Sequence, residues 1–381
     1  MPSPVRSDSA RPAPRPGLLD IVPYAPGKAP EARPGRKVYK LSANESGLGA
    51  SPAAMAAFAE AVRLETYPDG ASRKLKAAIA ELHGLPPANL FVGAGSDEVI
   101  ELLCRAYAGE GRSVVQTRHG FSYYHLAARA AGSEPLFAEE RDLTADVDAI
   151  LATVRDDTAL VFLANPNNPT GTLLPKEEVA RLRAELPAHV MLCYDGAYAE
   201  YMTPGDTRYT DGFDLVAEAI RTGADNVVAT RTFSKIYGLG GLRVGWALAP
   251  ESVVGVMDRL RSPFNVNAPA LAAAEAALRD QDFVDRNRAH NQAERERVAG
   301  ELRKLGFEVP ESHANFVLPR MRGGSAEARE AEHDALLSHL AREGIMVRSQ
   351  KAAWLPEHLR VSIGSVEAND AFLAAVREYV S

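Results

Sequence analysis

Residues 159–171, ALVFLANPNNPTG, join an unbroken apolar run to a turn built of asparagine, proline, threonine and glycine. A run this short, bounded by turn residues, reads as a strand buried on both faces that ends in a polar loop. The pattern recurs: VMLCY (190–194) opens into DGAYAEY, and NVVAT (226–230) opens into RTFSK. Further apolar runs, SVVQT (113–117) and RVGWALA (243–249), alternate with helical patterns at SDEVIELLCRAYAG (96–109), FSYYHLAARAAG (121–132) and KEEVARLRAEL (176–186). Such alternation predicts βαβ units, hence the α/β class, with a mostly parallel central sheet flanked by helices.

Working outward, the rhythm breaks at PFNVNAPA (263–270), and a helical region at 270–306 leads into a mixed C-terminal section. The expectation is a large domain at 37–265, whose first part can pack with the small one, and a smaller α+β domain at 266–381. Residues 1–36 are dense in proline and arginine and read as an extended arm. The chain has 381 residues, enough for two packed units, and its net charge of -7 argues against a nucleic-acid binder. Its two cysteines, Cys104 and Cys193, sit in apolar runs without CxxC spacing, so neither a disulfide nor a metal centre is expected. No stretch reaches the roughly 18 apolar residues of a membrane span, and MPSPVRSDSARPAPRPG lacks the apolar centre of a secretory signal. A cytoplasmic protein without a membrane partner is the expectation.

In an open parallel sheet, ligands sit beyond the carboxyl ends of the strands. Those ends deliver Asn168, then Asp195 and Tyr198, then Ser234 and Lys235. Singly, each has an ordinary reading as turn, helix cap or solvated charge. Together they gather an amide, a carboxylate, a phenol and an amine, the set that a pyridine cofactor uses. Pyridoxal phosphate needs an amine to condense with its aldehyde and a carboxylate to keep its ring nitrogen protonated. Its phosphate suits FVGAGSDEVIELL (91–103), where a Gly-x-Gly turn opens a helix and aims backbone N–H groups near Ala94, Gly95 and Ser96 at an anion. A plain capped helix fits that segment equally well. Arg243, eight residues after Lys235, reads either as a forked phosphate donor or as a surface arginine.

From about residue 20 onward the chain resembles the fold-type I pyridoxal-phosphate aminotransferases, and within them most closely the histidinol-phosphate aminotransferases. The resemblance rests on ordered motifs: PYAPGK, LSANES, TYPDG, GAGSDEVIELL, NPNNPTG, YDGAYAEY, TRTFSKIYGLGGLRVGW, HANFVLPR, GIMVRS and LRVSIGS. It implies Lys235 as the Schiff-base lysine, Asp195 as partner of the ring nitrogen, Asn168 and Tyr198 at the ring's phenolic oxygen, and Phe121 stacked on the ring. Ser234, Arg243 and the backbone of Ala94, Gly95 and Ser96 would bind the phosphate. Tyr67 is similar to a family tyrosine that reaches the cofactor of the other subunit, which implies a homodimer. Arg360 matches the arginine that grips the substrate's anionic group, with Arg348 and Tyr24 at the substrate end.

The substrates so implied are L-histidinol phosphate and glutamate or 2-oxoglutarate. An aromatic amino-acid aminotransferase or a threonine-phosphate decarboxylase would use the same cofactor shell. A nicotinamide-dependent oxidoreductase is disfavoured, because the glycines of YGLGGLRVG lead into a strand rather than a helix. Three positions depart from the family pattern: Gly196 replaces an acidic residue, GLGGLR has an extra glycine, and QTRHG lacks a proline.

Overall fold

The computed structural model describes residues 14–15, 17–22 and 37–381. Its central sheet has seven strands: β1 (Leu90–Gly93), β2 (Ser113–Thr117), β3 (Glu134–Ala138), β4 (Thr158–Ala164), β5 (Met191–Asp195), β6 (Val227–Thr232) and β7 (Gly245–Leu248). Their order is β1-β7-β6-β5-β4-β2-β3. Six strands run in one direction; β7 is antiparallel to both of its neighbours. The anticipated mostly parallel sheet is therefore present, with one reversed strand inserted next to the edge.

Successive side chains on these strands enter opposite layers, as the period of two requires. Phe162 and Cys193 pack in one hydrophobic cluster, while their neighbours Leu163 and Tyr194 pack in another on the opposite face. Both faces are thus covered, which is why the strands read as unbroken apolar runs. Cys104 and Cys193 are buried free thiols in one of these clusters.

The helical region expected at 270–306 is two helices, Ala268–Arg279 and Gln281–Lys304. Asp280 separates them, and its carboxylate accepts the Phe283 N–H at 3.2 Å to cap the second. The first helix buries Ala270, Ala273, Ala274 and Ala277 in the large core. This helix lies beyond the division expected at 265 yet packs with the large core, and we propose the division within Gln281–Lys304, which contributes Val284 to the large core and Val298 to the small one. The smaller core gathers Leu302, Phe307, Leu340, Val361 and Phe372, and Leu41 from the start of the chain joins it. Strand β8 (Phe316–Val317), β9 (Arg348–Ser349) and β10 (Leu359–Ser362) form its antiparallel sheet in the order β8-β10-β9. A separate two-residue strand, Tyr39–Lys40, pairs in parallel with Ile345–Met346. Residues 39–44 thus run from the small core to the edge of the large one.

Candidate functional site

A cavity of about 300 Å³ lies beyond the carboxyl ends of β4, β5 and β6, roofed by residues 40–44 and by β9 and β10. The loop after β4 is closed by Asn165, whose side chain donates to the Leu174 carbonyl and accepts the Leu174 N–H, both at 2.9 Å. That closure presents Asn168 to the cavity. Its amide oxygen accepts from Arg360 at 2.6 Å, which leaves the amide NH₂ to donate inward.

Asp195 ends β5 and is 4% exposed. One carboxylate oxygen accepts the Thr230 hydroxyl at 2.9 Å and the Ala197 N–H at 3.1 Å; the other accepts the Tyr124 hydroxyl at 2.6 Å. These donors are neutral, so they orient the carboxylate without cancelling its charge, which remains available to a cation in the cavity. Tyr124 is fixed by face-to-face stacking on Phe162 at 4.6 Å and by edge contact with Phe121 at 5.5 Å. Burial, then the Asp195 charge, raises its phenol well above the ordinary value, so it stays a donor. Phe121 lines the cavity.

Lys235 follows β6 with its amine 5.7 Å from the centre of the Tyr198 ring. The amine is pushed down to about 8, first by burial and then by the Arg360 guanidinium, with Asp97 opposing. A lysine so shifted has a usable neutral fraction near neutral pH, which an exposed lysine lacks. The Tyr198 hydroxyl accepts from the Asn44 amide at 2.9 Å.

The opposite end of the cavity is built for an anion. The helix Ser96–Tyr107 starts at Gly95 (φ 83°) and no side chain caps it, so its first N–H groups remain open. Arg243 lies against that end, donating to the Ser234 hydroxyl at 3.2 Å, the Gly240 carbonyl at 3.0 Å and Asp97 at 3.0 Å. A Cβ on Gly95 would stand 2.6 Å from the Arg243 guanidinium, and one on Gly245 would stand 2.3 Å from the Ser96 nitrogen. Both glycines are what let the arginine and the helix end approach each other.

Most of the anticipated residues meet here: Ser96, Phe121, Asn168, Asp195, Tyr198, Ser234, Lys235, Arg243, Arg348 and Arg360 all line the cavity. Arg348 and Arg360 pair directly across β9 and β10 and so share a face. Four anticipated residues differ. The Gly95 N–H donates to the Gly93 carbonyl at 2.8 Å and is not offered to a ligand. The Ala94 N–H is taken by the Glu98 carboxylate at 2.6 Å and is not offered to a ligand. Tyr67 lies outside the cavity of its own chain, 82% exposed and stacked on Phe264 at 4.7 Å. Tyr24 is outside the described residues. The sequence reading missed Tyr124, Thr230, Asn44, Lys40 and Asp97. Only Tyr124 carried a signal, a tyrosine in an apolar helix whose hydroxyl needs a buried partner.

A phosphorylated pyridine aldehyde fits these groups: an amine at the centre, a carboxylate for the ring nitrogen, amide and phenol donors, and an open helix end with an arginine for the phosphate. An α/β fold that delivers this set to one cavity is that of the fold-type I pyridoxal-phosphate enzymes. The chain belongs to the aminotransferase class I and II family, whose model matches residues 36–376. It is 47% identical over 376 residues to the histidinol-phosphate aminotransferase of Rhodopseudomonas palustris strain BisB5, covering 98% of this chain and 99% of that one. The histidinol-phosphate aminotransferase of Nitrobacter winogradskyi is 46% identical over 376 residues, with the same shares covered. The crystal structure of histidinol-phosphate aminotransferase from Sinorhizobium meliloti in complex with pyridoxal-5'-phosphate superposes with a TM-score of 0.87. It is 29% identical and covers 98% of this chain and 99% of that one.

Proposed function

We propose that the chain is a pyridoxal-phosphate-dependent aminotransferase of histidine biosynthesis that converts L-histidinol phosphate and 2-oxoglutarate to imidazole-acetol phosphate and L-glutamate. The observation that carries the chemistry is the Lys235 amine, lowered to about 8 inside a cavity bounded by the Asp195 carboxylate and the open helix end at Ser96. The identities above carry the choice of substrate.

When bound, pyridoxal phosphate supplies an aldehyde that condenses with amines and a ring that accepts electron density. Lys235 would hold that aldehyde between turnovers and, once displaced by the substrate amine, take the proton from the substrate's α-carbon. Asp195 would hold the ring nitrogen protonated, with its orientation set by Tyr124, Thr230 and the Ala197 N–H. Asn168 and Tyr198 would donate to the phenolic oxygen. Ser96, Ser234 and Arg243 would hold the phosphate, and Arg360 with Arg348 would hold the substrate's anionic end in both half-reactions.

A homodimer is part of the proposal. Leu64, Tyr67 and Phe264 are 95%, 82% and 44% exposed, an apolar surface that a second copy would cover. Tyr67 lies outside its own cavity, which supports its reaching the partner's. A cytoplasmic location is also proposed, supported by the buried free thiols. Among the described residues no helix is long and apolar enough to cross a membrane.

The test is the visible absorption of the purified holoenzyme as amino substrates are added singly. A yellow protein bleached by histidinol phosphate and by glutamate is the expected result. A colourless protein that pyridoxal phosphate does not change would overturn the proposal. Sedimentation of wild type and Tyr67→Ala tests the shared site: both are expected as dimers, with cofactor affinity reduced in the variant.

A further inference from the structure

Gly196, the departure in YDGAY, is explained by what fills the space beside it. A Cβ built there would lie 1.9 Å from Nη1 of Arg231 and 2.7 Å from its Cζ. Arg231 is 2% exposed, and its side chain points away from the cavity, opposite to those of its strand neighbours Thr230 and Thr232. Its guanidinium donates to the Thr230 carbonyl at 2.8 Å and to the Asp211 carbonyl at 2.6 Å, and lies 4.4 Å above the Phe213 ring. The nearest carboxylate, Glu200, stands 3.8 Å from Nε, and its Oε2 is buried without a partner.

An arginine buried with so loose an ion pair gives poor value for stability alone, since desolvation offsets most of the Coulombic gain. Its hydrogen bonds instead join Thr230 to Asp211. The carbonyl that accepts from Arg231 also accepts the Gly196 N–H at 3.1 Å, and the hydroxyl of the same residue donates to Asp195 at 2.9 Å. Gly196 and Thr230 are thus the main-chain neighbours of the carboxylate on adjacent strands, and both abut one guanidinium.

We propose that Arg231 is a positioning residue for Asp195: through the space left at Gly196 it ties Thr230 to the 211–213 segment, and so fixes the Thr230 hydroxyl against the carboxylate. This rests on the reading of Asp195 as the group that holds the cofactor's ring nitrogen.

The experiment measures the dissociation constant of the cofactor-free protein for pyridoxal phosphate in wild type, Arg231→Met, Thr230→Val, the Arg231→Met/Thr230→Val double variant, and Asp195→Asn. Arg231→Met is expected to weaken binding about tenfold, in the range typical of residues that support a ligating group. In the Thr230→Val background the same change should add less than about twofold, because coupled residues are not additive. An equal loss in both backgrounds, or a lowered Tm with unchanged affinity, would overturn the proposal. Gly196→Ala provides a second route should Arg231→Met not fold. It keeps the charge but displaces the guanidinium, and is expected to weaken binding in the same direction; unchanged affinity there also overturns the proposal. If Asp195→Asn binds as wild type does, the reading of Asp195 fails and the positioning role with it. If Asp195→Asn binds weakly while the Arg231 and Gly196 variants do not, only the positioning role fails.

Discussion

The two walls of the cavity are built in different ways. On the large-domain side the central groups sit at strand ends: Asn168 after β4, Asp195 at the end of β5, Lys235 after β6. On the other side Ser42 and Asn44 come from the start of the chain, and Arg348 and Arg360 from its end. Hydrogen bonds between partners 318 positions apart, Arg360 to the Ser42 carbonyl and the Asn44 N–H to Ser362, hold that wall together. The first wall is a consequence of sheet topology. The second is assembled only when the small core forms.

This difference predicts where substitutions act. The largest effect belongs to the first wall. Lys235→Ala should lower turnover by at least the 10²–10⁴-fold typical of losing a positioned acid–base group, while leaving the fold intact. Turnover near the wild-type level in a coupled glutamate assay would remove Lys235 from the centre of the chemistry.

That asymmetry also sets what the sequence reveals. The strands, the α/β class and the residues at the strand ends follow from apolar runs and the loops after them. Tyr124 and Thr230 escape the same reading because they reach Asp195 from neighbouring elements, across 71 and 35 positions. Arg348 and Arg360 were legible only through their resemblance to family motifs, since nothing local shows that β9 and β10 face the cavity. The break at Asp280 was missed because helical periodicity runs through it. The division at 265 was drawn from a change in local pattern, whereas the packing of Ala270 and its neighbours is a tertiary fact.

The second wall yields the next effect. Arg360 donates to Asn168 and would also grip the substrate's anionic end. Arg360→Ala should therefore depress both half-reactions, by roughly 10–100-fold if one to two charged hydrogen bonds are lost. Stopped-flow traces with glutamate and with histidinol phosphate separate the two; a deficit in only one half-reaction would mean that the substrates use different anion sites.

Arg360 also reaches the first wall through charge. The Lys235 amine titrates near 8, where an ordinary lysine titrates at 10.5. Below that value it is mostly protonated, and only its shrinking neutral fraction can attack an aldehyde. The rate at which cofactor-free protein captures pyridoxal phosphate should thus rise about tenfold per pH unit up to about pH 8 and then level off. Burial is the larger cause of the shift and Arg360 the second, so in Arg360→Ala the plateau should move to higher pH without reaching that of a free amine. An unmoved plateau would show that the two walls are electrostatically independent.

The smallest effect tests whether the second wall supports the first mechanically. Asn44 has φ 55°, a left-handed conformation that asparagine tolerates better than alanine. Its side chain donates to the Tyr198 hydroxyl at 2.9 Å and accepts the Ser362 hydroxyl at 3.0 Å. Asn44→Ala loses both bonds and also strains the backbone; Asn44→Gly loses the bonds alone. Each buried bond contributes about 1 kcal/mol, and the left-handed backbone costs alanine about 1 kcal/mol more than glycine. Thermal unfolding should accordingly rank wild type above Asn44→Gly and Asn44→Ala lowest. Activity should not follow that ranking: both variants leave Tyr198 without the same donor, so both should lose kcat to a similar, few-fold extent. Recovery of kcat in Asn44→Gly would assign Asn44 to the backbone turn alone, and the link from the small domain to Tyr198 would be broken.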